Sequence, residues 1–210
     1  MKCRIRIALT FDDGYYAHFY LAKLLNKFGI KATFFIITGL KKWQNIPLIP
    51  LPLLKQMNEE GHEIASHTHL HSDLTSCDLN TIENELKTSK ELLEKIIGSK
   101  VPGFAYPYGK YNNLVKKLVA KYYEYARTID EMKIDNYEFD RYELKVFYLS
   151  PNDILKILKM ALSISPKNII IVIHYMRPTS LLLYLAFLKL FLFGKFVTLK
   201  EMVNNLLQNF

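Results

Sequence analysis

Short apolar runs alternate with longer helix-patterned segments from one end of the chain to the other. That alternation restricts the fold more than any other feature, because it specifies parallel strands joined by crossover helices. Strands are expected over 5–10, 33–37, 63–66, 103–106, 124–128, 144–147, 169–174 and a short 196–197, with helices over 18–28, 51–60, 81–97, 113–122, 152–162, 180–193 and 199–207. Gly29, Gly61 and Gly98 stand just past the first three helices, where a left-handed C-cap needs glycine. Asn80 with Glu83 and Thr198 with Glu201 have capping-box spacing, and Ser150 before Pro151 reads as an N-cap followed by proline at the first helical position. Glu83/Lys87 and Glu91/Lys95 are expected to pair along the third helix. Seven or eight strand–helix units in 210 residues favour a small closed barrel over an open doubly wound sheet. No Gly-x-Gly-x-x-Gly follows the first strand, so the usual dinucleotide-binding signature is missing.

Composition excludes several function classes. Half of the residues are hydrophobic, with only eight Gly and eight Pro, which argues against disorder or a linker-rich protein and for one domain over residues 1–210. The net charge of +8 raises nucleic acid as a partner, but only Arg4, Arg6, Arg127, Arg141 and Arg177 of the 28 basic residues are arginine, and the lysines are scattered. Phosphate and base-edge readers favour the arginine fork, so a solvated lysine-rich surface is the reading and no nucleic acid is expected. Cys3 and Cys77 are too few for a disulfide framework and fit a reducing compartment. The start runs from Met1 into a strand without an apolar signal segment. A cytoplasmic location, with the inner membrane face as an alternative, is therefore expected. The apolar run from Leu181 to Phe193, broken by Lys189, is shorter than the roughly 20 residues that span a bilayer. It reads as a buried helix, or as one used for membrane-surface contact or self-association.

The residues able to do chemistry sit where a barrel would use them, at the carboxyl ends of strands. The first strand ends in Thr10-Phe11-Asp12-Asp13-Gly14, and successive side chains on a strand face opposite ways. One carboxylate can therefore ligate a metal while the other works on a water. Four of the six histidines lie between 62 and 71, with His67 and His71 spaced to share one side of a turn. His62 and His69 are read as surface or supporting residues. One Asp and two His make a three-ligand site with open positions for a catalytic divalent ion; the same set could also hold iron in a two-His-one-carboxylate centre. Tyr106-Pro107-Tyr108-Gly109 forms a tight turn whose Tyr108 N–H can serve as an oxyanion donor. The fully apolar 169–173 run ends in His174, where a general acid would be placed.

Taken in order, Thr10-Phe11-Asp12-Asp13-Gly14, His67-Thr68-His69-Leu70-His71, Tyr106-Pro107-Tyr108-Gly109 and Ile171-Val172-Ile173-His174 resemble the successive motifs of the polysaccharide deacetylase family. This is the NodB-homology group, or carbohydrate esterase family 4. The stretches Ala32-Thr33-Phe34-Phe35, Gly61-His62-Glu63-Ile64-Ala65-Ser66-His67-Thr68 and Phe196-Val197-Thr198-Leu199 are similar too, so the resemblance covers essentially the whole chain. It implies an α/β fold, a distorted TIM-like (β/α)7 barrel, and one divalent metal ion, commonly zinc. It also implies hydrolysis of an N-acetyl group from an amino sugar or N-acetylated glycan. Carried over by position, Asp13, His67 and His71 hold the metal. Asp12 takes a proton from the attacking water, the Tyr108 N–H helps hold the oxyanion, His174 protonates the departing amine, and Tyr106 and Pro107 border the substrate. Hydrolysis of another non-peptide C–N bond, or a glycan-binding barrel with weakened catalysis, are the alternatives.

Two departures stand out. Where the family's third motif carries an Arg that orients the catalytic Asp, this chain has Ala105; Arg127 or Lys145, near the ends of the following strands, are candidates to supply the charge. The fourth motif often brings an Asp and a Trp that walls the groove, whereas Asp130 is a loose match and the sole tryptophan, Trp43, lies far from that segment in sequence.

Overall fold

The computed structural model describes residues 5–131, 139–148, 167–173 and 195–208. Over these the elements are β1 (Ile5–Phe11), α1 (Tyr16–Lys27), β2 (Thr33–Ile36), a hairpin of β3 (Lys42–Trp43) and β4 (Ile46–Pro47), α2 (Pro52–Glu59), β5 (Glu63–Ser66) and α3 (Leu79–Ile97). They continue through β6 (Gly103–Ala105), α4 (Asn113–Tyr122), β7 (Tyr125–Glu131), β8 (Leu144–Tyr148), β9 (Lys167–Ile173), β10 (Lys195–Val197) and α5 (Leu199–Leu207). Strands run β1-β2-β5-β6-β7-β8-β9, all parallel, and β9 pairs back onto β1 from Ile5↔Lys167 to Phe11↔Ile173. Seven strands thus close into the expected TIM-like α/β barrel. β2 meets only the end of β1, at Thr10 and Phe11, and β10 lies beside the first half of β1.

The two-residue period of the strands separates two cores. Ile7, Leu9, Phe11, Phe34, Ile64, Phe104, Ile169, Ile171 and Ile173 face outward beneath the helices, with Leu21, Leu25, Leu86, Leu93, Leu118 and Val119 packed on them. Ala8, Phe35, Ala65, Ala105, Tyr125, Leu144, Val146, Ile170 and Val172 fill the barrel. β9 is apolar on both faces because both faces are buried. Inside, the three alanines of β1, β5 and β6 leave volume for Phe35, Tyr125 and the fully buried Arg127. Gly103 is obligatory, since a Cβ there would overlap the Tyr125 hydroxyl.

The floor of the barrel is polar. Glu63 accepts hydrogen bonds from the Tyr125 hydroxyl, from Thr33 Oγ1 at 2.9 Å and from the Lys200 N–H at 2.9 Å, while Thr33 Oγ1 accepts from the Leu199 N–H at 2.8 Å. Together with Thr198 as N-cap, the first amides of α5 are satisfied. Burial raises the Glu63 carboxyl above the usual range, against those hydrogen bonds.

Three local expectations are corrected. Asp78, not Asn80, caps α3, its carboxylate accepting the Thr81 N–H at 2.9 Å. On that helix Lys87 pairs with Glu91 and Lys90 with Glu94, while Glu83 meets Lys121 of α4. The β3–β4 hairpin was not expected at all; its turn residues Gln44 and Asn45 both have left-handed backbone, φ 48° and 63°. The helices expected over 152–162 and 180–193, the cap at 150–151 and His174 lie outside the described residues. Among the described residues no helix is long and apolar enough to cross a membrane.

His62 belongs to the end of the barrel opposite the chemistry. Its Nδ1 accepts from the Ala32 N–H at 3.3 Å and its Nε2 donates to the Ala22 carbonyl at 3.1 Å, a pattern only the neutral ring supports. Burial, first among the causes, lowers its pKa to about 4 from 6.5. The unfolded chain therefore binds the extra proton more readily, and stability rises with pH between these two values. Urea unfolding at pH 5 should give about 2 kcal/mol less stability from this group than at pH 7. His62→Gln should lower stability at both pH values and flatten that slope; an unchanged slope would exclude His62 as its source.

Candidate metal centre and active site

Parity along β1 carries Ala8, Thr10 and then Asp12 into the barrel. Asp12 is 1% exposed, and its Oδ1 accepts a hydrogen bond from Arg127 Nη2. Arg127 comes from β7, where it is register partner of Ala105 on β6. Its guanidinium lies 4.9 Å from the Phe35 ring centroid, and Nη1 donates to the Thr128 carbonyl at 2.9 Å. A cation thus stands one strand over from where the resemblance expects it. Lys145 alternates with the inward Leu144 and Val146 and faces away from Asp12.

Asp13 follows with φ 68°, a left-handed conformation that takes its carboxylate off the strand's parity and toward β5. There Asp13 Oδ1 lies 3.6 Å from His67 Nε2 and 3.4 Å from His71 Nε2, and the two nitrogens are 3.1 Å apart. Two ligand atoms each about 2.1 Å from one tetrahedral ion are about 3.4 Å apart, so the donor set fits a divalent cation such as zinc. His67 donates its Nδ1 hydrogen to the Ala105 carbonyl at 2.8 Å, which fixes the tautomer and leaves the Nε2 lone pair for a metal. Burial lowers the His67 pKa, against the pull of Asp12 and Asp13, and favours the same neutral form. Asp13, His67 and His71 are all buried.

The turn carrying both histidines is held in a costly shape. Thr68 and His71 have φ 67° and 60°, the former an outlier for a β-branched residue. Glu85 of α3, 3% exposed, stabilises it: Oε2 accepts the N–H groups of His69 and Leu70, both at 2.8 Å, and Oε1 accepts from Ser72 Oγ at 3.3 Å. Thr68 Oγ1 accepts the His71 N–H at 2.9 Å. His69 itself meets Thr38 Oγ1 at 3.0 Å and has a supporting place, as expected. The role of Glu85 has no local sequence signal, since only the approach of α3 to the turn reveals it.

On the opposite rim Pro107 is buried, and Tyr108 has φ 57°, which turns the chain so that the Gly109 and Lys110 amides return to the Tyr106 and Pro107 carbonyls at 2.9 and 3.1 Å. The Tyr108 ring is 46% exposed and lies 4.6 Å from the His71 ring centroid. Tyr106 is corrected: its side chain does not border the mouth. It is 1% exposed, stacked on Tyr111, edge-on to Phe104, and donates its hydroxyl to the Tyr142 carbonyl at 3.2 Å. The cause is parity, since Phe104 and Tyr106 both face the outer layer.

His174 lies outside the described residues; it follows Ile173, the register partner of Phe11, which precedes Asp12. Trp43, far away in sequence, reaches the site from the β3–β4 hairpin, its ring centroid 4.5 Å from that of His71.

Fold and site define a class: a closed parallel α/β barrel with an Asp–His–His group that could hold a metal and a buried carboxylate–guanidinium pair at the carboxyl ends of its strands. The family model for polysaccharide deacetylase matches residues 2–126, and the chain belongs to that family. A chitin deacetylase of Arthroderma benhamiae is 37% identical over 130 residues, 59% of this chain and 34% of that protein. The Streptococcus pyogenes deacetylase PplD, solved with acetate, shares 26% identity at TM-score 0.60, covering 84% of this chain and 68% of its own. The Xyl-CE4 domain of a multidomain xylanase from the hindgut metagenome of Trinervitermes trinervoides has the same fold, with TM-score 0.67 at 24% identity over 95% of this chain and 90% of that one. The chain spans about a third of the length of the first curated relatives it matches.

Proposed function

We propose that this barrel is a metal-dependent deacetylase that hydrolyses the acetamido group of an N-acetylated carbohydrate, giving acetate and a free amino sugar. The observation that carries the reading is the placement of two adjacent carboxylates in two environments, Asp13 among imidazoles and Asp12 against Arg127. Asp13, His67 and His71 would hold one divalent ion, zinc fitting the donor set, and the ion would supply Lewis acidity that polarises a carbonyl and activates water. Asp12, oriented by Arg127, accepts the proton of the attacking water as the new C–O bond forms. The Tyr108 N–H, in the turn that Pro107 opens, donates to the oxygen that gains charge. The C–N bond then breaks as His174 gives its proton to the amine nitrogen. A cation held against Asp12 gives a general base the fixed orientation that proton transfer needs, and this supports catalysis over the binding reading.

Purified protein should contain about one divalent ion per chain and release acetate from N-acetylated chitooligosaccharides, with activity lost to a chelator and restored by zinc. Stoichiometric metal with no acetate from chitooligosaccharides or peptidoglycan fragments would overturn the proposal.

A further inference from the structure

Resting on the deacetylase reading, we infer that Trp43 is the aromatic wall on which a pyranose ring of the substrate packs, delivered to the metal centre by the β3–β4 hairpin. Two-residue strands have no stability of their own. Here Lys42 and Trp43 pair with Pro47 and Ile46 across the Gln44–Asn45 turn, and the unit is held from outside itself.

Its anchors go to both metal-ligand turns. The Ile49 N–H donates to the carbonyl of Gly14, the residue after Asp13, at 2.8 Å. The Thr38 and Gly39 N–H groups donate to the carbonyls of Thr68 and His69, which lie between the two ligand histidines, at 3.3 and 2.7 Å. Tyr15 bridges to Leu48, and Tyr15, Ile37 and Leu48 form a small core against which Leu40 and Trp43 pack. Lys42 adds nothing to this core: it is exposed, as are Ile46 and Pro47. These anchors order the hairpin, and Trp43 is the one large side chain it brings beside His71.

Trp43 is half-buried and its ring is tilted 53° to that of His71, whose imidazole also meets Tyr108. Aromatic side chains from two separate elements thus flank a metal ligand and keep part of their surface open beside it. A pyranose has an apolar C–H face and a hydroxyl rim; an indole offers an apolar face and one N–H donor, which is the complementary chemistry. Aromatic walls with a few placed polar groups are the usual build of a small-ligand site. The wall that the family resemblance expects beside the last motif is here supplied by the loop after β2.

Trp43 is the only tryptophan of the chain, so emission excited beyond the tyrosine absorption band reports on this position alone. Titrating the zinc-loaded protein with N-acetylated chitotetraose should shift or quench the emission saturably. Trp43→Ala should raise KM for that tetrasaccharide by about tenfold or more, with kcat and zinc affinity within about threefold, and Trp43→Phe should recover most of the KM. An emission that ignores saturating tetrasaccharide, or a Trp43→Ala protein that keeps its KM, overturns the inference. So does loss of zinc affinity in place of the KM effect, which would make Trp43 a packing partner of His71. Acetate release by the unaltered protein is read in the same samples. If it is absent the deacetylase reading fails, while the fluorescence titration still decides whether Trp43 meets the sugar.

Discussion

Arg127→Ala is expected to lower the rate of acetate release by a factor on the order of 10² to 10³ while zinc stays bound, because it removes the cation that orients Asp12 without touching a ligand. It leaves a carboxylate 1% exposed inside the barrel with that partner gone. Breaking a buried pair from one side costs about 3–5 kcal/mol, so unfolding by urea should shift as well. Activity must therefore be measured below the new midpoint. The informative test is the exchange. Ala105 and Arg127 are register partners on neighbouring strands and both face inward, so their Cα atoms are about 5 Å apart and one guanidinium can serve either position. Ala105→Arg with Arg127→Ala should recover much of the lost rate. Ala105→Arg alone, which places two guanidinium groups in that space, should destabilise the barrel. A folded Arg127→Ala protein with undiminished turnover would show that Asp12 needs no such partner.

Over the described residues the order of strands and helices is legible because each β/α unit carries its own periodicity, and the closed barrel follows from the number of strands. Of the candidate ligand set, His67 and His71 are legible because they follow a strand with a spacing that chemistry recognises, whereas Asp13 in preference to Asp12 comes only from the family resemblance. Arg127 pairs with a residue 115 positions away, so its strand-end position marks it only as a candidate among others. Tyr106 shows that parity read from Gly103 outranks motif position: 103 and 105 face in, so 106 faces the helices. Trp43 is hidden for a different reason. Two-residue strands leave no hydrophobic period, and the hairpin is held by hydrogen bonds to Gly14, Thr68 and His69, none of them local. α3 starts two residues before the expected position because Asp78, whose carboxylate accepts the Thr81 N–H, caps it in place of Asn80.

The second large effect separates the two adjacent carboxylates. Asp12→Asn should abolish acetate release to about one part in 10³ or less while the protein retains zinc, since Asn keeps an oxygen for Arg127 but cannot accept the proton of the attacking water. It also deprives the buried guanidinium of the Asp12 negative charge, and a loss of stability should accompany it. Asp13→Asn should act on the metal first. Losing an outer-shell partner weakens metal binding 10–100-fold, so loss of the anionic donor itself should exceed about 100-fold. Excess zinc should then recover part of the activity of Asp13→Asn and none of that of Asp12→Asn. The asymmetry follows from one backbone torsion: β1 carries Asp12 inward to Arg127, and φ 68° at the next residue takes Asp13 to the imidazoles. If zinc titration and acetate release gave the reverse assignment, with Asp12→Asn losing the metal, the roles drawn from that geometry would have to be exchanged.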